Sequence, residues 1–307
     1  MDVYVNFPCD DKIKSIAERV LSGCEIGWYP RYCDAEVQII KDKYIIGKNT
    51  KMIQTISAGV DHLDIAAIPD HVKLCSNSGA YSLSVAEHAF ALILSHVKNI
   101  IENNVNMKSG IFRQSPTVLL YGKTIGILGY GGIGRRVASI ARAYGMKVIA
   151  YSRSGTDESV DETINTVSEL FGKSDIILLS IPLTDKTRGM VNIDLFSRLK
   201  KGAMIVNVAR PDIVVKEDMI RFLRSNPSIW YLSDVWWDEP EVRDTNLNNV
   251  ILSPHIAGGM SGEIMEIAYE LAFKNVKEYF RGNVRNVVKK DDYKGGDFGT
   301  KSFPGIP

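Results

Sequence analysis

Apolar residues in this chain gather into short runs rich in β-branched side chains, and what separates the runs changes along the sequence. In the first part the separators are turns and polar residues. Asp2–Phe7 alternates and predicts a strand, while Lys12–Leu21 sets Ile13, Ile16, Val20 and Leu21 at helical spacing. Val37–Ile40, Tyr44–Gly47, Met52–Ser57 and Val72–Ser76 predict further strands of a small α/β unit. Val85–Val97 is apolar nearly all round except for Glu87 and its histidines, which predicts a buried helix suited to run between domains. Asn99–Tyr121 is less regular, contains Ser115-Pro116, and reads as a connector or arm.

From Thr124 helices take over as separators. Thr124–Leu128, Lys147–Tyr151, Asp175–Ile181, Ala203–Val208, Trp230–Val235 and Val250–Leu252 are short apolar runs, with helical stretches between the first five. Strands alternating with helices imply right-handed crossovers and a parallel sheet, so the fold class is α/β. The last strand follows a loop, Asp238–Asn249. Ile264–Tyr279 predicts a long helix, with Ile264, Ile267, Leu271 and Val276 on one side, that returns the chain to the first unit. The tail from Lys289 is rich in Gly, Lys and Asp and predicts poor order.

Composition narrows the class without naming a chemistry. A chain of 307 residues is long enough for two cores, and 45% hydrophobic with 24% charged residues describes an ordinary globular protein. A net charge of +1 offers no broad basic face, which argues against a nucleic-acid partner. No basic segment followed by an apolar stretch opens the chain, and its apolar runs are far below a membrane span, so neither a signal peptide nor a membrane partner is expected. Cys9, Cys24, Cys33 and Cys75 are scattered without CxxC spacing, which reads as a reduced, cytoplasmic setting. No HExxH or Cys/His cluster points to a metal.

The chemistry begins at Gly129-Tyr130-Gly131-Gly132-Ile133-Gly134, a GxGxxG between an apolar strand and a helix with Ile133, Val137, Ile140 and Tyr144 on one face. The first glycine permits a tight turn, the second lets backbone approach a pyrophosphate, and the third allows close helix–strand packing. Free N–H groups and the helix dipole favour the anion. An NAD site places Asp or Glu about 20 residues on, to accept from the ribose 2′-hydroxyl. Here that place holds Ser152-Arg153-Ser154, one guanidinium and two hydroxyls suited to a 2′-phosphate, so NADP is expected in preference to NAD.

Three further residues stand beside strand ends. Arg210 follows Ala203–Val208 and offers a planar fork of donors to a carboxylate and a neighbouring carbonyl oxygen. His255 follows Val250–Leu252 and Pro254, and an imidazole suits proton donation to a forming alkoxide. Glu239, before Pro240, can orient that imidazole from its far nitrogen. Each alone is weak evidence; in order behind the glycine turn they outline a dehydrogenase of small 2-oxo or 2-hydroxy acids. His62, His71, His88 and His96 read as structural or surface residues, and Trp236 and Trp237 as packing.

The combination resembles the D-isomer-specific 2-hydroxyacid dehydrogenase family over roughly residues 50–290. The motifs that carry the resemblance are Leu120–Gly129 leading into the glycine turn, Ile181–Thr184 with Thr187, Asn207–Arg210, Asp234-Val235 with Glu239-Pro240, and Ser253–Ile256. The resemblance implies that Arg210 binds the substrate carboxylate and polarises its carbonyl, that His255 is the acid/base, and that Glu239 is its partner. It implies that Asp234 holds the nicotinamide carboxamide and that Pro182, Thr187, Val208 and His255 line the cofactor. Ser57–Asp61 resembles the loop whose N–H groups, here of Ala58 and Gly59, grip the carboxylate.

The family fold is a doubly wound Rossmann cofactor domain, here 99–261, inserted in a smaller flavodoxin-like substrate domain, here 1–98 and 262–307, with the active site in the cleft and a homodimer built on the connector. Three departures stand out: Pro211 after the arginine where Gly is usual, a shorter loop from Glu239 to His255, and Phe112 where the connector often has Trp. Proline restricts the residue before it, which questions the placement of Arg210. Formate dehydrogenase shares the fold, but its pattern has Gln at the position of Glu239. The alternative of another class is a nicotinamide-sensing interaction protein on the same scaffold with weak catalysis.

Overall fold

The computed structural model describes residues 1–259 and 261–295. The chain opens with β1 (Val3–Val5), α1 (Asp11–Val20), β2 (Ile26–Trp28), β3 (Val37–Ile40), β4 (Met52–Thr55) and β5 (Lys73–Cys75). Asp10 starts α1 by accepting the Ile13 N–H at 2.8 Å, and Ile16, Ala17 and Val20 bury one face of the helix. All five strands pair in parallel, in the order β2-β1-β3-β4-β5, the flavodoxin-like order.

One local expectation fails in this sheet, and one strand in it was not expected. Tyr44–Gly47 forms no strand. The side chain of Gln38 takes the Ile45 N–H and donates to the Ile45 carbonyl, so a buried amide replaces the ladder partners a strand would need. β2 has only three half-buried residues, and so short a run carries no readable alternation.

A second set follows: α2 (Ser82–Val97), α3 (Ile100–Lys108), β6 (Thr124–Leu128), α4 (Gly132–Ala143), β7 (Lys147–Tyr151), β8 (Glu162–Thr163), α5 (Val167–Lys173), β9 (Ile176–Leu179), α6 (Ile193–Phe196), β10 (Met204–Asn207), α7 (Lys216–Ser225), β11 (Trp230–Ser233) and β12 (Val250–Leu252). These seven strands form a parallel sheet ordered β12-β11-β10-β9-β6-β7-β8. The order runs outward in both directions from β6 and β9, so the chain reverses its winding there, the doubly wound arrangement that opens a ligand crevice at the carboxyl strand ends. α3 occupies part of the expected irregular connector.

The chain then returns through α8 (Gly262–Phe280), which packs against α1. Its buried seam is Ala268, Tyr269, Ala272, Phe273 and Val276, while Ile267 and Leu271 are exposed. The stripe expected through Ile267 and Leu271 is thus one residue out of phase. Both stripes have i,i+4 spacing, and the alanines allow the close helix–helix approach that larger side chains would block.

The first unit combines residues 1–81 with Thr184–Lys186 and the described chain from Gly259 onward; the second holds Ser82–Leu183 and Thr187–Gly258. The boundary expected at 98/99 differs because α2 packs on α4, β10 and β11 and so belongs to the second unit. The tail expected from Lys289 is ordered as far as it is described. Residues Lys290–Tyr293 form a 3-10 turn, and Lys290 Nζ donates to the carbonyls of Ile68, Pro69 and Val72 at 3.3, 2.6 and 3.2 Å. The rest of that tail, 296–307, lies outside the described residues. Among the described residues, no helix is long and apolar enough to cross a membrane.

Candidate active site

The glycine turn sits at the carboxyl end of β6, at the switch point of the second sheet. Gly129 has φ +101°, and a Cβ there would lie 2.7 Å from Ile181 Cγ2 and 2.9 Å from the Ser180 carbonyl. Gly134 brings α4 so close that a Cβ would meet the Gly129 carbonyl below contact distance and Ile127 Cγ2 at 3.0 Å. Between them, Gly131 faces open space and caps α4 without any side-chain hydrogen bond. Gly132 and Ile133 open the first turn of this 12-residue helix. An uncapped helix start with an open approach fits a pyrophosphate, so the residues present suit a dinucleotide.

Tyr130 locks this turn from the side. Its hydroxyl donates to Asp157 at 2.6 Å, Arg135 pairs with the same carboxylate, and the guanidinium carbon stands 4.8 Å from the Tyr130 ring centre. Asp157 is the first carboxylate in sequence after β7, and sequence reasoning missed it. It is held by Tyr130, Arg135 and the Ser159 N–H, which leave Ser152, Arg153 and Ser154 at the end of β7. Arg153 is exposed there, and the two serine hydroxyls lie 3.2 Å apart. After β9, Thr187 is buried and donates to the Pro182 carbonyl at 2.7 Å, closing that loop.

Arg210 follows β10, where Asn207 shapes the turn. The buried Asn207 amide accepts the Ala209 N–H at 3.0 Å and donates to the Arg210 carbonyl at 3.1 Å and the Tyr231 hydroxyl at 3.0 Å. Val208 is buried beside it. Arg210 is extended, at φ −141° and ψ 145°, as a following proline demands. Pro211 then occupies the first position of a 3-10 turn, Pro211–Ile213, where a helix start leaves the N–H without an internal partner anyway. The backbone therefore accommodates the proline without distortion at Arg210.

His255 follows β12 and adopts the left-handed region at φ +56°. Its Nδ1 lies 2.9 Å from Glu239 Oε2, and the Trp236 N–H fixes the other carboxylate oxygen at 2.6 Å. A carboxylate only accepts, so Nδ1 carries the proton donated to Glu239. Trp236 and Trp237 are buried and pack as expected, with their indole N–H groups on the Arg243 and Val214 carbonyls. β10 and β12 are two strand spacings apart, about 10 Å, which sets the backbone scale between Arg210 and His255.

Asp234, at the end of β11, is 2% exposed. Its Oδ1 accepts from Ser253 Oγ at 2.6 Å and the Ile256 N–H at 3.0 Å, its Oδ2 accepts the Ala257 N–H at 2.8 Å, and His88 Nε2 lies 3.3 Å from Oδ1. Burial pushes the carboxyl up, but the nearby His88 ring and the hydrogen bonds from Ser253, Ala257 and Ile256 outweigh burial and hold it below the usual carboxylate value. Sequence reasoning gave His88 no part in the site, yet the fold brings it to Asp234. Ala58 and Gly59 lie in the first unit, in the loop after β4, with Ala58 exposed and the Ser57 hydroxyl on the Gly59 carbonyl at 2.8 Å.

Comparison with known proteins matches this architecture. Residues 90–257 match the family described as D-isomer specific 2-hydroxyacid dehydrogenase, NAD binding domain. Hydroxypyruvate reductase of Thermotoga maritima is 33% identical over 240 residues, covering 76% of this chain and 78% of that protein. Glyoxylate reductase of Thermococcus litoralis is 31% identical over 284 residues, 85% of each. A solved structure, the glycerate dehydrogenase related protein of Thermoplasma acidophilum, is 64% identical with a TM-score of 0.73, covering 91% of this chain and 100% of that one. The chain belongs to the D-isomer specific 2-hydroxyacid dehydrogenases, NAD(P)-dependent oxidoreductases that move a hydride between the nicotinamide cofactor and a 2-oxo or 2-hydroxy acid.

Proposed function

We propose that the protein is an NADPH-preferring reductase of a small 2-oxo acid of the glyoxylate and hydroxypyruvate size, acting D-specifically in the cytoplasm. The observation that carries this reading is the Glu239–His255 pair at 2.9 Å beside the end of β12, in the same sheet as the Arg210 turn and the glycine turn. When bound, the reduced nicotinamide supplies the hydride for the carbonyl carbon. His255 Nε2 donates the proton to the oxygen that becomes an alkoxide, while Glu239 holds Nδ1 and orients the ring. Arg210 binds the carboxylate and polarises the carbonyl, and the N–H groups of Ala58 and Gly59 serve as further carboxylate donors. Asp234 would hold the carboxamide, and Pro182, Thr187 and Val208 would line the cofactor.

The test is initial-rate oxidation of NADPH, with NADH alongside, against glyoxylate, hydroxypyruvate, pyruvate and a branched 2-oxo acid. Rapid turnover of a small acid with NADPH is the expected result. Cofactor binding without turnover of any acid would replace this reading with a nicotinamide sensor.

NADP preference is supported by the exposed Arg153 between two serines, with Asp157 already taken up by Tyr130 and Arg135. Arg153→Asp lowers selectivity for NADPH over NADH by about 10- to 100-fold, because a charge-assisted hydrogen bond contributes about 1.5–3 kcal/mol. An unchanged ratio of kcat/KM values for the two cofactors would remove Arg153 from the 2′-phosphate site.

A homodimer is supported by α3, which buries none of its residues, and by the neighbouring arm, where Phe112 is 80% exposed and Ile101, Val105, Leu119 and Tyr121 are exposed as well. Apolar surface of this extent marks an interface. Light scattering should give twice the chain mass, and Phe112→Asp should shift it toward one; a wild-type monomer at all concentrations rejects the dimer.

A further inference from the structure

We infer that His88, with Ser84 one helical turn before it, is a positioning residue for His255, holding the turn that carries the acid/base through Ser253 and Asp234. This rests on the acid/base role given to His255 above.

The chemistry of three side chains fixes the direction of the network. Asp234 receives hydrogen bonds from Ser253 Oγ and from the Ile256 and Ala257 N–H groups, and stays an acceptor. Ser253 Oγ, 2.6 Å from Asp234 Oδ1, must therefore spend its one hydrogen on that carboxylate. The His88 Nε2 to Ser253 Oγ contact of 2.7 Å then has a single polarity, with Nε2–H donating and the hydroxyl accepting. His88 is thus protonated at Nε2, and the chain runs Nε2–H to Oγ–H to carboxylate.

The same carboxylate takes the N–H groups of Ile256 and Ala257, so the network encloses His255 from both sides in sequence. His255 itself donates its N–H to the Asp234 carbonyl at 2.8 Å. Left-handed backbone is unfavourable for a residue with a side chain and persists where surrounding contacts hold it. α2 supplies two of those contacts. Ser84 and His88 are four residues apart and share one helix face, and Ser84 Oγ donates to the Ala257 carbonyl at 2.7 Å. α2 therefore clamps the His255 turn at both ends, at residue 253 through His88 and at residue 257 through Ser84.

Neither α2 side chain has a place in the reaction, so loss of either should appear in kcat through the angle of the imidazole. His88→Leu lowers kcat by about 10- to 100-fold, the cost of a displacement of about 1 Å at an acid/base, and changes KM for the 2-oxo acid by less than about twofold. His88→Gln restores kcat to within about threefold, because its amide nitrogen can donate from nearly the same place. Ser84→Ala gives a smaller loss of the same kind. A His88→Leu enzyme turning over within about twofold of wild type overturns the inference. So does a kcat that falls with thermal stability and is not rescued by glutamine. Histidine-ring ¹H–¹⁵N spectra read the coupling without turnover: His88 carries its proton on Nε2, and His255 resonances move in His88→Leu. Unmoved resonances reject the inference even in an active enzyme, whereas moved resonances in a wild type inactive on every 2-oxo acid reject only the reductase reading.

Discussion

His255→Gln should lower kcat for 2-oxo acid reduction by about 10²- to 10⁴-fold, the range expected when a positioned general acid is removed. Glutamine can preserve a hydrogen bond to Glu239 but cannot hold a proton to give. The loss should therefore fall on kcat and leave the NADPH dissociation constant within a few-fold, read by the change in nicotinamide fluorescence. The geometry motivates the choice of His255 over the other histidines: its Nδ1 is engaged by Glu239 at 2.9 Å, which fixes the ring from one side. A variant that turns over at more than about a tenth of the wild-type rate would mean that another group or water delivers the proton.

Glycines and strand ends made much of this site legible in the sequence. Gly129 and Gly134 tolerate no Cβ, so a parallel sheet with a ligand at its switch point leaves a durable trace in residue type. Arg210, Asp234 and His255 follow apolar runs, and the carboxyl ends of parallel strands converge on one crevice. The α2 clamp left no such trace. His88 and Ser253 are 165 residues apart, and nothing local in the apolar surroundings of His88 distinguishes a donor aimed at Ser253 from a histidine packed for its bulk. Small elements were lost for a different reason. β8 has two residues and β2 three, too few for a period to register. In α8 the period itself was clear, but it fitted two adjacent stripes, and only packing against α1 selects Ala268 and Ala272 over Ile267 and Leu271, with Val276 buried as expected.

The Asn207–Pro211 segment makes a sharper claim than its sequence did, because the proline that questioned Arg210 proves compatible with it. Arg210→Met should lower kcat/KM for the 2-oxo acid by about 10²- to 10³-fold, the usual loss when an oxyanion-stabilising donor is removed. Arg210→Lys should recover only part of it, since an ammonium supplies the charge without the planar fork that can hold a carboxylate and a carbonyl oxygen together. NADPH affinity should stay within a few-fold in both. The guanidinium already contacts the Ala209 carbonyl at 2.9 Å, and Asn207 holds the backbone on either side, so its placement depends on that amide rather than on the residue at 211. Pro211→Gly should accordingly leave kcat/KM within about threefold, because the φ of −141° at Arg210 is open to any residue. A glycine variant that gains an order of magnitude would show that the proline does restrain Arg210. An Arg210→Met enzyme with near-normal kcat/KM would move carboxylate binding away from β10 altogether.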